Sequence, residues 1–328
     1  MPDADIRIAI APRASPIRVR LTDPLAFDER ITAMTDTAHA SLVIGEALID
    51  EVALPDGSVS RTPGGSPFNV AIGLSRLGVN TGLLAHMGDD DDGSVLAARL
   101  ASDDVTEIGA RHGSTSVAHA TIADDGSAAY DFRVAWDPRP TSDWLERQWT
   151  HVHVGSFSAY RDGTRRLLER ALDRPEAPLV TFDPNIRASL IGSRDEVRAR
   201  AQELARRSQV VKLSDEDADW LSPGVALDDA ADRLLAMGPR VVAITRGGDG
   251  SVLATPDARV SLGAPRTEVT DTIGAGDSYM AALIAHLLAH GLPVTAAELE
   301  AAGSYAQRAA AITVSRRGAN PPTAAEIA

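Results

Sequence analysis

Ser41-Leu42-Val43-Ile44-Gly45 is a short buried-strand pattern. A glycine-rich turn at Gly64-Gly65, a helical stretch from Asn69 to Leu77 and a second apolar run, Thr81-Gly82-Leu83-Leu84-Ala85, follow it. Short apolar runs flanked by turn residues read as strands, and longer stretches with a 3.6-residue period read as helices. The same alternation continues along the chain. Further strands are predicted at 152–154, 179–182, 210–213 and 241–244, with helices at 95–100, 194–208 and 227–237. A strand-helix alternation of this kind predicts an α/β fold, a mostly parallel sheet covered by helices on both faces.

Two segments interrupt the rhythm. Leu48 to Thr62 reads as two strands around Pro55-Asp56-Gly57, and Ser116 to Trp136 as two more around Asp124-Asp125-Gly126. These are hairpin-type turns, and Tyr130, Phe132 and Val134 alternate to give one apolar face. A small sheet forming a lid over the α/β body is expected, beside Asp50 and Gly64-Gly65. Residues 1–38 mix Pro, Arg, Asp and Ala without a sustained period and read as a loosely ordered extension to a domain at 39–328. Met34 leaves open a start of translation within that segment.

Bulk properties narrow the function. The 328 residues suffice for a large core, and the net charge of −14 opposes binding to nucleic acid or an anionic membrane. With no cysteine, disulfides, thiolate metal sites and a cysteine nucleophile are excluded. No apolar run approaches the roughly 20 residues of a membrane span, and no signal-type segment opens the chain, so a cytoplasmic enzyme is expected.

The strongest chemical signal is Asp271-Thr272-Ile273-Gly274-Ala275-Gly276-Asp277-Ser278-Tyr279, running into an apolar helical stretch from Met280 to Leu288. Glycines at a helix start let the backbone close on an anion, and free N–H groups with the helix dipole favour a phosphate. A carboxylate in that place is repelled by phosphate unless it has a task, such as taking a proton from an attacking hydroxyl; the alternative for Asp277 is a helix cap. The second signal is Pro63-Gly64-Gly65-Ser66-Pro67-Phe68-Asn69. Here exposed backbone and an amide suit a polyol, the alternative being that Asn69 caps the following helix.

In order and separation these two segments resemble the two signatures of the PfkB, or ribokinase-like, carbohydrate kinase family, and the similarity extends over about Ser41 to Thr323. The resemblance implies a ribokinase-like fold with a β-sheet lid and an ATP-dependent phosphotransferase acting on a sugar hydroxyl. Asp277 would be the general base, and the amides of Gly274, Ala275 and Gly276 an anion hole. Asp50, Gly64, Gly65 and Asn69 would bind the sugar. Tyr279 stands where relatives usually carry Phe.

The wording Gly-Gly-Ser-Pro-x-Asn, Thr181-Phe182-Asp183-Pro184-Asn185-Ile186-Arg187 and Val211-Lys212-Leu213-Ser214 look most like the fructokinase branch. Arg133 and Arg187 would then face the substrate, with Asn185, Lys212 and Ser214 toward the phosphates. Thr245, Gly247, Gly248 and Gly250 resemble the nucleotide turn. No P-loop sequence is present. Where many relatives carry Asn-x-x-Glu, this chain has Ser214-Asp215-Glu216-Asp217, so Asp217 or Glu216 would act on Mg2+ through water. Potassium would lie against the Asp271-Thr272 loop and the Ser315 to Ala319 segment. Pairing of lid sheets implies a homodimer.

Competing readings are a kinase for ribose, a nucleoside or 2-keto-3-deoxygluconate, and a non-catalytic sugar or nucleotide sensor on the same scaffold. A dinucleotide oxidoreductase is disfavoured, because no Gly-x-Gly-x-x-Gly follows the first strand. The run Asp89-Asp90-Asp91-Asp92 reads as a solvated loop leading into a helix, and His151 and His153 as ordinary strand residues sharing one face.

Overall fold

In the computed structural model the described residues are 6–10, 17–19, 40–53, 57–122 and 128–328. Much of the 1–38 extension and most of both lid hairpin tips lie outside them. Within the extension, β1 (Ile6–Ile10) and β2 (Ile17–Val19) are strands at one margin of the main sheet.

The other strands of that sheet are β3 (Ala40–Ile44), β6 (Asn80–Leu84), β7 (Thr106–Glu107), β10 (His151–Gly155), β11 (Leu179–Asp183), β12 (Val210–Ser214), β13 (Val241–Thr245), β14 (Ser251–Ala254) and β15 (Ala258–Leu262). A second sheet contains β4 (Leu48–Ala53), β5 (Val59–Gly64), β8 (Ser116–Ile122) and β9 (Ala128–Arg133). Nine helices occur among the described residues: α1 (Ser66–Arg76), α2 (Asp91–Ser102), α3 (Asp162–Leu172), α4 (Arg194–Arg207), α5 (Asp215–Leu221), α6 (Leu227–Leu235), α7 (Ala275–His290), α8 (Ala296–Val314) and α9 (Ala324–Ile327).

The main sheet runs β2-β1-β15-β14-β13-β12-β11-β10-β3-β6-β7. It is parallel from β13 to β7 and antiparallel beyond β13, where the predicted rhythm of strands and helices also stops. Alternation within each strand feeds two cores. Leu42, Ile44, Val152, Val154, Phe182 and Val211 face α3 to α6, whereas Val43 and Leu83 face Phe68, Ile72, Met280 and Ile284 of α1 and α7. With both faces covered, β3, β12 and β13 read as largely apolar runs rather than alternating ones, although Ser41, His151, His153, Thr181 and Lys212 place buried polar groups among these strands.

The chain leaves β3 for β6 on one side and returns through β10 on the other. A reversal of this kind opens a crevice beyond the carboxyl ends of the two neighbouring strands. Glycines stand at that end, Gly45 after β3 and Gly155 closing β10. The lid sheet rises from the same end in the order β5-β4-β8-β9, with β4 parallel to β8 and antiparallel to β5. The four strands of this sheet lie within residues 48–64 and 116–133.

Candidate active site

The two sequence signals begin neighbouring helices. Gly65 precedes α1 with φ 104° and Gly274 precedes α7 with φ 75°, backbone angles that side chains resist. The helices approach closely along their length, since a methyl on Gly73 would stand 2.7 Å from the Cβ of Ala281. Both amino-terminal ends therefore meet.

At the meeting point lies Asp277, buried in the first turn of α7. Ser66 Oγ donates to its Oδ1 at 2.6 Å and Asn69 Nδ2 donates to its Oδ2 at 2.8 Å. Neither residue is a cap, because α1 starts at Ser66 after Gly65, and α7 after Gly274, with no side-chain capping bond at either. First-turn amides have no acceptor inside their own helix. Of the three expected in the anion hole, that of Ala275 donates to the Thr272 carbonyl at 3.3 Å.

Asp50, in β4, is half-buried and close to Gly64: a methyl added there would overlap the Asp50 carboxylate. Burial, and then the charge of Asp277, push the Asp50 carboxyl up to about 6, with Arg187 opposing them. Asp50, Asp277 and Arg187 thus share one electrostatic environment. Arg133 lies differently. It pairs in register with Val117, which pairs with Ile49, so Arg133 belongs to the lid face opposite Asp50, where its side chain is exposed. Phe132 and Ala118 are on the Asp50 face.

The opposite flank comes from β11 to β13. Lys212 is buried and donates to Asp183 Oδ2 at 2.9 Å. A methyl on Gly276 would come within 3.0 Å of Lys212 Nζ, so the ammonium stands against the backbone of the α7 first turn. Burial works to lower the pKa of Lys212, but Asp183, Asp277 and Asp217 outweigh it and raise the pKa, keeping the group charged. Ser214 caps α5, accepting from the Asp217 amide at 3.0 Å. Asp217 accepts from the amides of Ile186, at 2.9 Å, and Ser214, at 3.4 Å, while Glu216 is exposed. Asn185 takes φ 36° at the turn after β11.

Thr245 ends β13, and the turn after it forms an open shelf: a methyl added to Gly247 or Gly248 would meet nothing within 4 Å. Gly250 is enclosed instead, since a methyl there would overlap the Leu262 carbonyl. Asp271 accepts from the amides of Ile273 at 3.0 Å and Gly318 at 2.8 Å, and the amides of Thr270 and Asp271 donate to Val314 O. The Asp271-Thr272 loop is therefore fastened to the segment near Ser315 to Ala319, with both Asp271 carboxylate oxygens engaged. Among the described residues no group of three or more His, Asp or Glu side chains is arranged to hold a metal ion.

Three further buried polar residues lie outside the set expected from sequence. Ser66 lies inside the second signal, and its place before a helix was the available clue. Asp183 carried no clue to its partner 29 residues away. Glu46, at the end of β3, is buried with its carboxyl pushed up by burial, and Oε2 accepts from the Ser158 amide at 3.4 Å. The hydroxyl that distinguishes Tyr279 from Phe donates to Ser251 Oγ at 3.0 Å. Asp90 caps α2 and binds Thr115, so the acidic run opens a helix as expected.

A doubly wound sheet, a small second sheet and a carboxylate set between two helix starts mark this end of the fold as the candidate active site. The chain belongs to the pfkB family of carbohydrate kinases, whose pattern it matches over residues 38–326, and it is a sugar kinase that transfers phosphate to a sugar hydroxyl. It is 32% identical over 257 residues to a fructokinase of Rhizobium leguminosarum bv. trifolii, covering 75% of this chain and 79% of that protein. To a probable fructokinase of Arabidopsis thaliana it is 30% identical, covering 84% and 90%. The crystal structure of aminoimidazole riboside kinase from Salmonella enterica, complexed with aminoimidazole riboside and an ATP analogue, superposes with a TM-score of 0.72 at 27% identity, over 86% of this chain and 95% of that one.

Proposed function

We propose that this sugar kinase is fructokinase-like, uses ATP, and activates the acceptor hydroxyl with Asp277. The observation that carries the reading is the pair of donors on that carboxylate. Ser66 and Asn69 hold it at the start of α7, facing first-turn amides that would receive the transferring phosphoryl group. A general base must reach the proton it abstracts, and a fixed carboxylate at the mouth of an amide-lined recess meets that need. Asp50, with Arg187 beside it, would accept sugar hydroxyls. Phosphoryl transfer then needs little beyond alignment and charge neutralisation, to which Lys212 contributes.

Magnesium takes oxygen donors, largely through its water shell, and the carboxylates of Asp217 and Glu216 fit that chemistry. When bound, it would neutralise charge on the nucleotide phosphates. The ATP shelf would be Thr245, Gly247 and Gly248, with Asn185 and Ser214 on the nearer side. Potassium would take carbonyl oxygens of the fastened 271–272 and 315–319 segments, and a rate unchanged when potassium is replaced by a large organic cation would count against it. The lid sheet ends on β5 and β9, edges that suit pairing with a second copy.

The substrate is tested by assaying ATP-dependent phosphorylation of fructose, ribose, 2-keto-3-deoxygluconate and aminoimidazole riboside. The expected result is a kcat/KM for fructose above all others. Preference for a riboside would replace the fructokinase-like reading while leaving the kinase assignment in place.

A further inference from the structure

A second polar feature runs through the interior, on the sheet face that carries Lys212. Ser41 in β3, His151 and His153 in β10, and Thr181 in β11 are all wholly buried. Ser41 Oγ lies 2.7 Å from His151 Nδ1, His151 Nε2 lies 3.0 Å from Thr181 Oγ1, and Thr181 Oγ1 lies 2.9 Å from His153 Nδ1. The string ends there. His153 Nε2 and Asp183 Oδ1 are both buried without a hydrogen-bond partner. They flank Gly155, where a methyl would stand 3.3 Å from His153 Nε2 and 3.5 Å from Asp183 Cβ. Gly155 and Asp183 are register partners, which sets both groups beside the same glycine, with the Asp183 carbonyl the atom nearest to that methyl position at 2.8 Å.

Buried polar atoms are almost always paired, and an orphaned donor facing an orphaned acceptor asks for a common explanation. We propose that Ser41, His151, Thr181 and His153 form a one-way hydrogen-bond relay that ends on the free oxygen of Asp183 through one water beside Gly155, and so positions Lys212 against the anion hole. The direction follows from the far end. An Asp183 carboxylate that accepts from Lys212 on Oδ2 can only accept on Oδ1, so His153 must carry its proton on Nε2. His153 Nδ1 then accepts from the Thr181 hydroxyl, which accepts from His151 Nε2, and His151 Nδ1 accepts from Ser41. Each group has one role, and both rings are neutral Nε2–H tautomers. Burial supports neutrality by pushing His153 down to about 3, with the charge on Lys212 adding to it, and His151 well below its ordinary value. His153 is thus a positioning residue, acting on the phosphate through Asp183 and Lys212.

The proposal rests on the kinase reading for its kinetic consequence and not for its structural one, so two experiments separate them. In 15N-histidine-labelled wild-type protein, both buried rings should show the Nε2–H tautomer at neutral pH. An Nδ1–H tautomer at His153 would overturn the relay whatever the enzyme's activity. Thr181→Val removes the middle hydroxyl while keeping shape, and should lower kcat by about ten-fold with the KM for sugar little changed; Thr181→Ser should restore it. Equal kcat in the Val and Ser variants overturns the positioning role. If Thr181→Val fails to fold, Ser41→Ala takes its place: with the direction set at Asp183, His151 should keep its Nε2–H tautomer in that variant, and a switch to Nδ1–H would overturn the relay's direction.

Discussion

The floor of the cleft and its lid are both built around carboxylates, yet they hold them in opposite ways. On the floor, Asp277 is buried and receives two short neutral hydrogen bonds from a helix 208 and 211 residues away. In the lid, Glu51 pairs with Arg61 at 2.7 Å and with His119 at 2.9 Å on an open surface. Fixed dipoles in a dry site act strongly and need no rearrangement during reaction, whereas exposed ion pairs are screened and contribute little. On the proposed mechanism, the fixed carboxylate stands where charge would be transferred and the exposed pairs where substrate would enter.

The largest test of that contrast is Asp277→Asn. It keeps the shape of the floor while removing the base, and kcat should fall about 10²–10⁴-fold with an unchanged melting temperature. Undiminished turnover would sink the mechanism.

Next comes Gly64→Ala, which joins floor and lid. Its methyl would displace the Asp50 carboxylate rather than backbone, so kcat/KM for sugar should fall on the order of ten- to a hundred-fold while the fold persists. Gly274→Ala is the control with the reverse signature. There the methyl meets Ala319 Cα at 2.9 Å at a positive φ, and stability should suffer too. Thermal melts beside sugar kinetics distinguish the two.

These comparisons also show what the sequence could disclose. The glycines and Asp277 were legible because their requirement is local: a helix start, a close backbone and a carboxylate within a few residues. Strands β3, β12 and β13 were legible because burial on both faces leaves mostly apolar runs, and β10 by its His-Val alternation. Ser66 on Asp277 and Asp183 on Lys212 were not, since each pair depends on how distant elements dock. Arg133 shows the same limit from the other side. Its position after Phe132 suggested a substrate contact, but a one-residue step in register decides the face, and the register sets it with Ile49 and Val117 rather than Asp50.

Acid sharpens the contrast at intermediate size. With the Asp50 carboxyl at about 6, the group is charged and able to accept two sugar hydroxyls only above that value. The KM for sugar should rise as pH falls through about 6, and Asp50→Asn should abolish that limb. Stability carries the opposite sign. A folded-state value raised above the ordinary 3.8 means that the charged form costs stability, fully above about 6 and not at all below 3.8. Asp50→Asn should therefore melt higher than wild type at pH of about 8, and the difference should vanish near pH of about 3.5.

The smallest effect belongs to the lid surface. Arg61 joins Glu51 at 2.7 Å and Asp92 of α2 at 2.8 Å, so it links the lid to the body, with its side chain 43% exposed. Exposed pairs of this kind contribute about 0–1 kcal/mol, and Arg61→Ala should shift the melting temperature by no more than a few degrees, less at high salt. Its kinetic effect should appear in the KM for sugar and leave kcat alone, because the link restrains closure without touching Asp277. A loss in kcat would mean that the lid is as rigidly coupled to the chemistry as the floor, and the division of labour between them would have to be abandoned.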